Sequence, residues 1–386
     1  MFANFAVKIS RILLGAAVFA VPFAQNAVWA ETVSIPVLVP VTGFLSLEGT
    51  SQRNGALLAL EEAAGDLPAG LDVSFEVFDT ATSPEVAVNA FLRALEAPNV
   101  VAAVAPIFGT QMLALLPLAR EERVPLVTIS GTASITEQNN PYVFRFFPGD
   151  VVVKQVHARF AVEVLGTERP ALITQTTAYG QSGRGHLRDR LSELGVTPVA
   201  DEAIDVTVND MLPVLTKVIE ADADMLLLHL HSGPTALVLR QASAMGLDIP
   251  IVAGSALHQP TTADLLTDEE LSGACAETGS SPISGGRPEI EAWTERYRAR
   301  FEIEPDAFAL GQYDGVRMVL AALADGARDA SGVRKFLDGQ TFNGLAMTYK
   351  TDGTGNMAHD AIIVCYQPGS RVPRIERRYE NVTGVR

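Results

Sequence analysis

Apolar runs and amphipathic stretches alternate along the chain in two successive series. In the first, apolar runs of strand length at 33–39, 72–78, 100–105 and 125–129 are separated by helical patterns at about 51–64, 84–97 and 110–122. Within the second of these helices Val88, Phe91, Leu92 and Leu95 recur at i, i+3, i+4 and i+7, which predicts one buried stripe. Ser83 ahead of Pro84 marks the helix start, pairing a capping oxygen with a residue whose φ is already helical. Pro117 lies inside the third helix and is expected to bend it.

The second series predicts strand 170–175, helix 182–194, strand 196–200, helix 209–220, strand 224–230, helix 234–245 and strand 249–253. Strands 224–230 and 249–253 are almost continuously apolar, as parallel strands covered on both faces are. Helical patterns follow near 287–301, 307–324 and 331–338. The tail, 344–379, alternates around the turn Asp352-Gly-Thr-Gly355 and predicts twisted antiparallel strands.

Two such series imply two similar, doubly wound α/β lobes with parallel sheets. The expected division is 31–148 with 281–343 for the first lobe and 149–280 with 344–386 for the second. The chain then crosses near 148, 280 and 344, forming a three-stranded hinge. Ahead of these lobes, Lys8 and Arg11 precede an apolar core at 12–21, and Val28 and Ala30 stand at the small-residue positions of a cleavage site. The expectation is a removable export signal over 1–30, cut after Ala30, and a periplasmic protein. No later apolar run reaches membrane-spanning length.

The formal charge of −16 becomes −18 once Lys8 and Arg11 leave with the signal. Such a chain repels nucleic acid and anionic lipid, so neither is expected as a partner. Cys275 and Cys365 both lie in apolar, strand-like segments. Export permits a disulfide between them, and two buried thiols fit the pattern as well.

Ligands of open parallel sheets sit at the carboxyl ends of strands, near helix starts. Thr110 follows Phe108-Gly109 and opens a helix, so its hydroxyl and amide suit an anion. The loop Ser130-Gly-Thr-Ala-Ser134 offers further hydroxyls after a buried strand. Both also read as ordinary helix caps. His229 and His231 share one face of a strand, but no third ligand stands in the adjacent sequence, so no metal is expected. Gly180-Gln-Ser-Gly-Arg-Gly185 lacks the lysine and spacing of a phosphate loop. Neither Gly-x-Ser-x-Gly nor His-Glu-x-x-His is found, so the chain is not expected to be an enzyme, and no cofactor is expected.

An ordered set of motifs resembles the leucine/isoleucine/valine-binding protein family, the type I periplasmic receptors of ABC transporters. It comprises Thr42-Gly43 with Gly49, Asn54-Gly55-Ala56, Val124-Pro-Leu-Val-Thr-Ile-Ser-Gly-Thr-Ala-Ser134, Tyr142-Val-Phe-Arg145 with Pro148-Gly-Asp150, Tyr179-Gly180, Leu239-Arg-Gln-Ala242 with Gly246, and Tyr313-Asp314-Gly315. The resemblance implies a ligand carboxylate held at Thr110 and Ser134, and a ligand amine on the Ala133 carbonyl. It also implies that Tyr179 and His231 close from the second lobe, and that Arg145 ties the crossover. Two positions depart from the family. Ala256 stands where amino-acid receptors place an acid for the ammonium, with Ser255 one residue away. Glu48 stands where an aromatic is common, and fits either a substitute for that acid or a solvated loop residue.

The expected function is capture of a small carboxylate-bearing solute, an amino acid or related organic acid, by closure of two lobes. The expected partner is a membrane permease, and the receptor itself is expected to be a monomer. A sensory receptor for a small amide or aromatic acid, reporting to a signalling partner, is the alternative. An exported hydrolase is a more distant one.

Overall fold

The computed structural model describes Met1 and residues 31–385. The expected export signal, with Lys8, Arg11, Val28 and the cut after Ala30, lies outside the described residues apart from Met1.

In the first lobe five parallel strands lie in the order Val77–Asp79, Val37–Val39, Ala103–Val104, Leu126–Thr128, Val143–Arg145. Alternate residues feed two cores. Val37, Val39, Val104, Val127 and Phe144 face the helices Ser46–Glu61, Pro288–Phe301, Ala307–Ala324 and Ala330–Gly339. Leu38, Ala103, Leu126 and Val143 face Pro84–Ala94 and Gly109–Glu122. The strand expected over 33–39 is divided at Ile35-Pro36. Glu31–Ser34 pairs with Leu71–Ser74 instead, in a separate two-stranded sheet, because proline has no N–H for a continuous ladder.

Ser83 caps its helix as expected, accepting from the Val86 amide at 3.3 Å. The buried stripe of that helix is Ala87, Ala90, Phe91 and Ala94, however, and Leu92 is exposed. The small alanines let the helix lie close on the sheet, which turns the larger Leu92 outward. The first helix starts at Ser46 rather than about 51, which places Glu48 in its first turn. It crosses Ala307–Ala324 closely at Gly55, where an added Cβ would stand 2.0 Å from the Ala309 carbonyl oxygen.

The second lobe holds seven strands in the order Arg374–Tyr379, Ala361–Cys365, Cys275–Thr278, Ile251–Ala253, Met225–His229, Pro170–Gln175, Ala200–Ile204. The last five are parallel, and the two C-terminal strands add antiparallel at one edge. Cys275 and Cys365 face each other in register and form a disulfide. The tail does not leave the first lobe at 344. Met347, Tyr349, Met357 and Ala358 pack into the first lobe's core, so the third crossing falls after Ala358. The burial of Tyr349 against Phe146, at 5.1 Å between ring centroids, holds this segment there.

Candidate functional site

A narrow crevice lies between the lobes at the carboxyl ends of their strands. Its walls are largely apolar, with Leu45, Ile107, Ile129, Phe147, Val153 and Phe308. Its polar lining is Glu48 from the first lobe and Asp150, Tyr179, His231 and Ser255 from the second.

Glu48 is 2% exposed. Its Oε1 accepts from the Ser232 amide at 2.9 Å and lies 2.7 Å from the Ser232 hydroxyl, at the start of helix Ser232–Ala244 across the crevice. That hydroxyl also lies 2.8 Å from Gln259 Oε1, and its one proton serves a single acceptor at a time. Gln259 Nε2 donates to Asp306 Oδ2 at 2.8 Å, and the Ser51 hydroxyl donates to Asp306 Oδ1. Burial raises the Glu48 pKa, with the Ser232 bonds opposing the rise.

Three rings gather on the second-lobe side, and a fourth meets them from the first lobe. Tyr179 stacks on His231 at 4.9 Å with planes 27° apart, and lies 3.8 Å from His229 on its other side. His231 meets Phe108 of the first lobe edge-on at 6.0 Å. Burial lowers the His231 pKa to about 3, so the ring is neutral at physiological pH. The ring of Tyr179 packs on Gly131 of the first lobe, where an added Cβ would stand 3.2 Å from Cε2. Helix Ala178–Glu193 approaches the ring of His229 closely, since a Cβ on Gly183 would stand 2.1 Å from it.

Beneath the crevice lies a charge network on helix Asp150–Arg159 and its neighbours. Lys154 Nζ donates to Glu277 Oε1 at 2.5 Å with both side chains fully buried, and the Ser255 hydroxyl donates to Glu277 Oε2 at 3.1 Å. Asp150 is fully buried, and its pKa is raised to about 7 by burial, with the charge of Lys154 opposing. The nearest ring nitrogen, His229 Nε2, is 3.6 Å from Asp150 Oδ1.

Glu48, Tyr179, His231 and Ala256 line the crevice; Thr110, Ala133 and Ser134 do not. Thr110 lies in the first turn of Gly109–Glu122, and the residue from that loop that enters the crevice is Ile107, three positions earlier. Gln52 Oε1 holds Ile107 there by accepting its amide at 2.9 Å. Ala133 and Ser134 border a separate groove beside Ser182 and His186. The Ala133 carbonyl, expected to meet a ligand amine, accepts from the Thr136 hydroxyl and amide, each at 3.1 Å. Glu48 is buried, not a solvated loop residue. Arg145 ties the crossover as expected, with Nη1 donating to the carbonyls of Ser130, Gly131 and Thr132 at 3.2, 3.0 and 2.8 Å. Among the described residues no group of three or more His, Cys, Asp or Glu is placed to hold a metal ion.

Asp150 and the Lys154–Glu277 pair escaped the sequence reading because helix Asp150–Arg159 was not expected. Its signal is present: Asp150, Lys154 and His157 stand at i, i+4 and i+7 among valines, a polar line along one helical face.

A family model described as periplasmic binding protein matches residues 32–370. The chain belongs to the periplasmic binding protein family. Among curated relatives, the leucine-, isoleucine-, valine-, threonine- and alanine-binding protein of Pseudomonas aeruginosa is 23% identical over 357 residues, covering 92% of each chain. The leucine-binding protein LivK of Thermotoga maritima superposes with a TM-score of 0.82 at 25% identity, over 90% of this chain and 98% of that one. A solute-binding protein of an ABC transporter from Rhodopseudomonas palustris BisB5, solved with 3,4-dihydroxybenzoic acid, gives 0.83 at 20% identity over 91% and 98% and shares the fold. These matches place this periplasmic binding protein with the leucine/isoleucine/valine-binding members, and they are solute-binding proteins rather than enzymes.

Proposed function

We propose that this periplasmic binding protein captures a small solute between its lobes and delivers it to the membrane permease of a branched-chain amino-acid-type ABC importer, after export and loss of residues 1–30. The observation that carries the reading is the Glu48–Ser232 contact. A carboxylate from one lobe is buried on the helix start of the other, a contact that parting the lobes would break. The apolar crevice behind it suits a small organic molecule. The amino-acid-binding relative in Pseudomonas aeruginosa supports the same class of work.

Capture by closure requires the solute to favour the closed arrangement, since equal affinity for open and closed forms shifts nothing. Thermal unfolding against a panel of amino acids, amides and organic acids, followed by small-angle scattering with any hit, tests this. A ligand at a hundredfold excess over its Kd stabilises by about 2.7 kcal/mol and raises Tm visibly, and Rg should fall on binding. If no small molecule moves either quantity, the reading fails.

A further inference from the structure

We propose that the solute enters with hydrogen-bond donors, an ammonium or a primary amide on an apolar body, directed at Glu48 Oε2 and the Asp150 carboxyl. A carboxylate without such a donor is excluded. The inference rests on the capture reading and names the class of solute that this crevice selects.

Both groups line the same crevice, Glu48 at 2% exposure and Asp150 at 0%. Glu48 Oε2 is buried without a hydrogen-bond partner, although Glu48 Oε1 is engaged by Ser232, and the Asp150 carboxyl has only the Ser182 hydroxyl beside it as a donor, which leaves it acceptor capacity to spare. An unmatched buried acceptor is costly, more so when charged, so these oxygens call for a donor. His231 Nε2, on the same lining, is likewise unpartnered.

The protein supplies no competing cation. Lys154 is engaged by Glu277, and Arg145 by the Ser130–Thr132 carbonyls, Thr136 and Asn356. Among the described residues that line the crevice there is no lysine or arginine. A carboxylate solute would therefore meet two acids and no cation, with only the neutral groups of Tyr179, His231 and Ser255 beside it. An ammonium would gain a charge-assisted bond to whichever of the two carboxyls is ionised, the stronger class of hydrogen bond, and an ordinary one to the other.

The test uses probes on matched skeletons. 3-Methylbutylamine, 4-methylpentanamide, L-leucine and 4-methylpentanoate form one set; phenethylamine, phenylacetamide and phenylacetate form the other. Thermal shift ranks them, and calorimetry then measures affinity. We expect an amine, amide or amino acid to bind at least tenfold tighter than the simple carboxylate of its set. Glu48→Gln keeps an acceptor for Ser232 while turning the second oxygen into a donor. It should weaken that probe at least tenfold and narrow or reverse its margin over the carboxylate, a change that loss of packing alone would not produce. Asp150→Asn is the second variant, with the Tm of each apo variant as the check on folding. Tightest binding by the simple carboxylates overturns the inference and leaves the capture reading standing. So does donor binding that neither variant alters. Silence from every probe overturns both.

Discussion

Arg145 and Asn356 join the end of the first lobe's last strand to the returning C-terminal segment. Arg145 Nε donates to Asn356 Oδ1 at 2.9 Å, and the two backbones pair in an isolated parallel bridge. The same guanidinium holds three carbonyls of the loop that leads to the crevice and donates to the Thr136 hydroxyl at 2.6 Å. Burial lowers its pKa only to about 10, so it stays cationic at neutral pH. Arg145→Ala is expected to cost about 3–5 kcal/mol, because it strands several buried acceptors at once. Arg145→Lys should recover little, since an ammonium cannot reproduce the planar fork. Urea denaturation of the three proteins measures both.

Two buried groups should pull stability in opposite directions across the same mildly acidic window, about pH 4 to pH 7. Asp150 keeps its proton up to about pH 7 in the folded protein, whereas an unfolded aspartate releases it near pH ~4. The native state therefore binds more protons between those values, and stability drops as pH rises through that window. Asp150→Asn should flatten this limb by about 2–4 kcal/mol between pH 4 and pH 8. His258, lowered to about 4 by burial, has the opposite sign: the unfolded chain binds more protons from pH ~6.5 down to about 4, and stability is lost as pH falls. His258→Gln should shrink the acid limb. Tm measured across pH for each variant separates the two limbs.

The Cys275–Cys365 bridge closes a span of 90 residues between neighbouring strands of the second lobe. Replacing both cysteines by alanine is expected to lower stability by about 2–4 kcal/mol, chiefly by freeing the unfolded chain. Mass spectrometry after thiol alkylation should find no free thiol in periplasmic material. Reductant should lower the Tm of the wild type but not that of the double variant.

Gly131 is the point where the ring of Tyr179 rests on the opposite lobe. Gly131→Leu should hold the lobes apart, since the added side chain occupies the place of that ring. Ligand affinity should fall at least tenfold, and Rg should stay the same with and without ligand. Because each lobe keeps its own core, Tm without ligand should change by only a few degrees.

The helix Ala307–Ala324 is legible to the residue, because its apolar composition follows a capping residue: Asp306 Oδ1 accepts from the Ala309 amide at 2.9 Å. The tail was legible as a twisted strand pattern but not in its partner. Periodicity shows that Tyr349 and Met357 have a buried side without saying which lobe covers it. Glu48, Tyr179, His231 and Ala256 were named through family resemblance and line the crevice. Thr110 was misplaced relative to Ile107, since which residue of a turn enters a cleft depends on where the helix starts and on contacts such as Gln52 with Ile107. Asp150, Lys154 and Glu277 were missed because a buried ion pair is written with the same letters as a surface one. Only its helical spacing among valines sets it apart.

The contacts running from Glu48 to Ser232, Gln259, Asp306 and back to Ser51 begin and end on one helix, Ser46–Glu61. They form a ring rather than a row. Parting the lobes must break the ring at Glu48–Ser232 and at Gln259–Asp306 together, for either link alone still fastens the two halves. On the capture reading, release would then have a threshold, with the jaw held by a latch of two catches.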